Sequence, residues 1–127
     1  MAKEAMLASV RMVYADDGIL YLTILPNARI DVKHVQAQND CIRNLCGDTR
    51  VPVLLDARVD YTVTKEAQEY AAMNSNRLAT AVLVSSPVVK ALTNTFVALF
   101  RPDYPVRQFT SEEPAVAWLK EIMRGKK

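Results

Sequence analysis

Two stretches of this 127-residue chain are apolar without interruption: Val51-Pro52-Val53-Leu54-Leu55, ending in Asp56, and Ala79 to Ser85, ATAVLVS. A strand with one wet face alternates apolar and polar residues, whereas a strand covered on both faces, as in parallel α/β sheets, reads as a continuous apolar run. The two runs therefore predict central strands with helices packed above and below. This requirement constrains the fold more than any other feature of the sequence.

The rest of the chain supplies what those strands need. Leu7 to Tyr14 and Ile19 to Ile24 flank Ala15-Asp16-Asp17-Gly18, a DG turn between β-branched and aromatic residues, and predict a hairpin. Pro26-Asn27 closes its second strand. Asp31 is placed to cap a helix carrying Val35, Ile42 and Leu45, which Gly47 stops as a left-handed cap. Thr64 caps a second helix through about Asn76, with Ala67, Tyr70, Ala71 and Asn74 along one face. Ser86-Pro87 opens a third, with Val88, Val89, Leu92, Phe96, Leu99 and Phe100 at helical spacing, ended by Pro102 and Pro105. Val106-Arg107-Gln108-Phe109 alternates as a short strand. A last helix, capped by Thr110 or Ser111, buries Ala117, Trp118 and Ile122 and frays at Arg124, Lys126 and Lys127. After the hairpin, strands alternate with helices, which calls for right-handed crossovers. The expectation is a single α/β domain over residues 1–127: a mixed, largely parallel sheet with an N-terminal hairpin and about four helices.

Composition excludes several functions. The chain is 50% apolar, so a domain of this length buries a core without disulfides or metal. Three glycines, Gly18, Gly47 and Gly125, leave no glycine-rich phosphate loop, and the spacing of Cys41 and Cys46 fits neither a zinc pair nor a redox motif. A net charge of +2, with the cations scattered, does not indicate nucleic acid. The start, MAKEAMLASV, lacks the apolar run of a signal peptide, and Thr80 to Phe100 is interrupted by polar residues throughout, so the reading is cytoplasmic without integral membrane association. His34, Cys41 and Cys46 do not converge as ligands, because positions 41 and 46 are rotated by about 140° on an ideal helix. Nothing surrounds His34 that resembles a catalytic triad. No metal or cofactor is expected, and no enzyme.

The strings VPVLLDARVDYTVTKEA, ATAVLVSSPV and FTSEEPAVAWLKEI resemble the small bacterial STAS-like proteins akin to the sporulation anti-sigma factor antagonist, in a branch also described as CRAL-TRIO-like. In phospho-switch members an Asp at the end of the central strand precedes, by nine residues, a phospho-acceptor serine in a D-S-S-G signature. Counted from Asp56, those four positions are Thr64, Lys65, Glu66 and Ala67. Lys65 stands where the acceptor serine would be, and Ala67 replaces the glycine that lets a partner approach the backbone. The resemblance implies a protein-interaction module, without the usual phosphorylation site, or a carrier of an apolar ligand.

Two candidate surfaces follow. Asp56, Arg58, Asp60, Thr64, Lys65 and Glu66 surround the loop after the central strand, where open α/β sheets place ligands and partners. Asp56, Asp60 and Glu66 could supply an acid and a base, although helix-dipole and turn roles account for Glu66 and Asp60 as well. Phe96, Leu99, Phe100 and Tyr104 form core, a homodimer interface or an apolar-ligand face. The sequence thus points to a protein partner, a homodimer, or a small apolar ligand held between the third helix and the sheet.

Overall fold

The computed structural model describes residues 3–73 and 76–125. Its amino-terminal part folds back on itself twice. Strand β1 (Lys3–Met6) pairs antiparallel with β2 (Val10–Tyr14), which pairs antiparallel with β3 (Leu20–Ile24). The strand predicted from Leu7 begins only at Val10, because the Leu7 amide turns back to donate to the Val10 carbonyl at 2.9 Å, and β1 before that turn was not predicted. The second turn is the predicted DG turn. Gly18 has φ of 84°, which side chains resist, and an added Cβ would also meet Met123 Cε at 3.1 Å.

Helix α1 (Val32–Cys46) starts in a reciprocal cap: Asp31 accepts from the His34 amide at 3.0 Å, and His34 Nδ1 accepts from the Asp31 amide at 3.1 Å. Gly47 ends it at φ 78°, but its ψ of −164° is extended rather than the predicted left-handed helical value. Strand β4 (Ala28–Ile30) precedes this helix and pairs in parallel with β6 (Tyr61–Val63), which follows the central strand β5 (Val51–Asp56).

Thr64 Oγ1 accepts from the Ala67 amide at 3.0 Å and caps α2 (Lys65–Met73). That helix does not reach Asn76, whose side chain instead donates to the Gly47 and Thr49 carbonyls at 3.3 and 3.1 Å. The predicted position of Asn74 lies outside the described residues. Strand β7 (Arg77–Leu83) leads to α3 (Pro87–Phe100), capped by Ser86, and α3 ends at Arg101, which is left-handed at φ 42°. Strand β8 (Val106–Phe109) and α4 (Glu112–Gly125) complete the chain, so Ser111 rather than Thr110 directly precedes the last helix. Lys126 and Lys127 lie outside the described residues.

The main sheet has the order β1-β2-β3-β5-β7-β8, parallel from β3 onward. Side chains alternate through it. Val82 and Val84 of the β7 region join Val53, Leu22, Met12, Val35, Ile42, Ala67 and Val89 under α1, α2 and α3. Ala79, Ala81 and Leu83 point the other way and join Leu54, Ala115 and Leu119 under α4. The apolar runs are therefore buried on both faces, as their composition requires.

Two helix faces differ from expectation. In α4, Ala115 and Leu119 are buried, Trp118 and Ile122 are half-buried, and Ala117 is exposed, because the i, i+4 pair 115 and 119 sits over small Ala79 and Ala81. In α3, Val89 and Thr93 are buried, whereas Val88 and Leu99 are 77% and 64% exposed. Residues 88 and 99 are about 20° apart on a helix, on a face turned from the sheet. Leu22→Ala and Leu119→Ala remove fully buried side chains from separate clusters; each should cost about 2–5 kcal/mol in urea unfolding, with the double variant additive to about 0.5 kcal/mol.

Candidate functional site

The loop after β5 is held at both ends. The Asn27 amide donates to the Asp60 carbonyl at 2.7 Å and the Thr64 amide to the Ile30 carbonyl at 3.0 Å, so the small β4–β6 ladder ties this loop to the chain entering α1. Asp56 and Arg58 form a fork: Oδ1 accepts from Arg58 Nε at 2.9 Å and Oδ2 from Nη2 at 2.8 Å. These bonds hold the Asp56 carboxyl below its usual range despite partial burial. A carboxylate so engaged is a poor general base. Asp60, Lys65 and Glu66 are exposed, and Thr64 spends its hydroxyl oxygen on the α2 cap. The loop candidates are thus neighbours in a well-tied surface segment.

A cavity of about 130 Å³ lies instead inside the three-helix side of the sheet. Its floor is Val10, Leu22, Thr80 and Val82 of the sheet; Val35 and Gln38 of α1 and Ala67, Gln68 and Ala71 of α2 form its walls. Leu92, Thr93 and Phe96 of α3 roof it, and Ile30, Tyr61 and Val63 of the β4–β6 ladder close one end. Burial raises the Tyr61 hydroxyl above its ordinary pKa, keeping it protonated and uncharged. Tyr104 and Val106 also line the space, with Arg77. Of the four aromatic and aliphatic candidates, Phe96 and Tyr104 reach the cavity, Phe100 packs on Phe96 at 6.0 Å between ring centroids, and Leu99 faces outward. Tyr104 is 5% exposed, so it is not part of a surface interface.

The alternation rule by itself would send Arg77 to the α4 side with Ala79 and Ala81. Arg77 pairs with Val51 and Ala79 with Pro52, which leaves Leu78 as the extra residue of a bulge. The bulge re-aims Arg77 to the cavity side, where Thr80 also lines the space. No signal in the sequence marks this shift, and of the cavity's polar residues only Tyr104 is among the predicted sites.

Other candidate chemistry is absent from this region. The described residues contain no group of three His, Cys, Asp or Glu side chains able to hold a metal. His34 is engaged in the α1 cap. Burial pushes the Cys46 thiol up to about 11, with Cys41 nearby adding to the shift. None of the described helices is long and apolar enough to cross a membrane.

The architecture is that of the SpoIIAA-like α/β fold. It superimposes with a TM-score of 0.58 on an uncharacterised protein of the DUF3478 family with a SpoIIAA-like fold from Shewanella loihica PV-4, 13% identical, covering 94% of this chain and 95% of that one. A protein of unknown function from Arthrobacter sp. FB24 is 32% identical over 86% of this chain and 97% of its own, with a TM-score of 0.32. No curated protein matches. Residues 13–123 match the family described as Domain of unknown function (DUF7793), and the chain belongs to that family.

Two predictions follow from the electrostatics. Because the folded-state pKa of Asp56 is depressed, its bonds to Arg58 stabilise the fold above the unfolded pKa, and the contribution is lost as pH falls through the folded value. Arg58→Gln should raise the Asp56 pKa in NMR titration and cost at most about 1 kcal/mol at pH 7, a difference that vanishes in strong acid. With its thiol near 11, Cys46 should be alkylated by iodoacetamide at pH 8 about 100-fold more slowly in the native protein than in urea, read by mass spectrometry.

Proposed function

We propose that this protein is a non-catalytic sensor or carrier that binds a small, largely apolar molecule between α3 and the sheet. The observation that carries the reading is the half-open, mostly apolar cavity of about 130 Å³ beneath α3. Its size is comparable to cavities that accept benzene, and its walls combine aliphatic and aromatic carbon with a few polar groups, the usual make-up of a small-molecule site. The roof suits a reporter. Among its described residues α3 buries Val89 and Thr93 and leaves much of its apolar surface outside, so its position depends on few contacts. A ligand bound beneath it stabilises whichever placement of α3 it contacts better.

The outward face of the same helix supports a second role. Val88 and Leu99 are exposed on one face of α3, three turns apart, which favours a protein partner, a second copy of this chain being the simplest. The two roles are compatible, since one face of α3 meets the ligand and another the partner. Leu99→Lys should convert a dimer to a monomer in light scattering without lowering stability; a wild-type protein that is monomeric at millimolar concentration excludes self-association through this face.

Benzene provides the direct test of the cavity. It should shift amide resonances of residues 67–71 and 92–96 and raise Tm, and Ala71→Phe, which fills the space, should abolish both effects. Unchanged spectra at saturating benzene would overturn the ligand reading. Native mass spectrometry of the purified protein should show a co-purifying small mass.

A further inference from the structure

Among the described residues no acidic side chain pairs with the one arginine in the cavity lining. Arg77 is 8% exposed, its Nε has no hydrogen-bond partner, and no ion pair among the described residues includes it. Thr80, in the same lining and 2% exposed, has a hydroxyl oxygen that is likewise buried and unpartnered. Both side chains line the cavity, and Arg77 does so through a bulge that turns it away from the α4 side. Buried guanidinium groups keep their charge and are ordinarily paired, because an unpaired buried ion is strongly disfavoured. An arginine re-aimed by a strand irregularity into an otherwise apolar space therefore marks the place of an anion supplied from outside the chain.

We propose that the ligand is a small monocarboxylic acid with an apolar body, its carboxylate held by Arg77 and Thr80 and its hydrocarbon part packed under Leu92 and Phe96. This rests on the ligand-binding reading above and names its chemical class. Charge decides between anions: Arg77 is the one charged side chain in the cavity lining, the other polar groups being neutral Gln38, Gln68, Thr80, Thr93 and two tyrosines. A single cation matches a monoanion, whereas a phosphate ester near neutral pH carries close to two charges and would leave one unmatched in a poorly hydrated site. The planar fork of a guanidinium also fits two carboxylate oxygens at once. Size favours a compact body, because about 130 Å³ accommodates a phenyl ring or a short branched chain.

Benzoate, benzyl alcohol and phenyl phosphate, titrated into the wild-type protein at pH 7 by calorimetry or amide NMR, test this without any variant. Benzoate should bind at least tenfold more tightly than benzyl alcohol and than phenyl phosphate. If benzyl alcohol and benzene bind but benzoate binds no better, the carboxylate assignment is overturned while the cavity remains a ligand site; if none binds, the underlying reading fails. Tighter binding of phenyl phosphate also overturns the assignment. In Arg77→Met, shown to be folded by its amide spectrum, the preference for benzoate over benzyl alcohol should disappear, and Tm without ligand should rise because an unpaired buried charge is gone. Retention of that preference in Arg77→Met would exclude Arg77 as the anion partner.

Discussion

Burial of β5 and β7 on both faces is the constraint on which the rest of the structure depends. A strand that meets apolar side chains above and below must have helices on both sides, and the chain supplies α1, α2 and α3 to one face and α4 to the other. Alternation along β7 then divides the labour: small Ala79 and Ala81 let α4 approach, while Thr80, Val82 and Val84 face the three-helix side. The α4 side is covered by a single helix by this means. The other side must be covered by three separate helices, and the cavity lies where they converge. It is an outcome of topology as much as of side-chain size.

The β4–β6 ladder shows how a small element sets the geometry of a larger one. Its three parallel residue pairs fix the loop after β5 to the strand before α1, and the same backbone leads directly into both helix caps, Asp31 and Thr64. The starts of α1 and α2 are thereby held in register, with Ile30, Tyr61 and Val63 closing the cavity between them. An exposed loop of charged residues on the outside and an apolar wall on the inside are two sides of one segment. The Asp56 to Arg58 fork belongs to the outside, and its oxygens are already satisfied within the loop.

Much of this was legible in the residues. The doubly buried strands, the DG turn, the Thr64 and Ser86 caps and the element order from α2 to α4 follow from local pattern, because each depends on neighbours in sequence. The β4–β6 ladder was not legible, since tripeptides such as Ala28–Ile30 carry too little periodicity to be read as strands and are defined by a partner some thirty residues away. The faces of α3 and α4 were read partly wrongly, because a helix apolar all round, as α3 nearly is, does not announce which stripe meets the sheet. Most consequential was Arg77. Its approach to the cavity depends on one extra residue, Leu78, against β5, and a bulge is a property of two strands together.

The departure from the phospho-switch pattern acquires a physical sense from this placement. Where the resemblance would put a glycine at the third position of the switch helix, Ala67 is fully buried and its side chain lines the cavity. Lys65 and Glu66 on the outer side are exposed and carry no acceptor hydroxyl at the serine's position. The first turn of α2 is therefore finished on the outside and open on the inside, the reverse of a surface built for a phosphate. Under the proposed function, the signal that reaches this helix comes from beneath it. A ligand in contact with Ala67, Ala71, Leu92 and Phe96 touches α2 and α3 together, and only its differential affinity for two placements of those helices sets how far either can move.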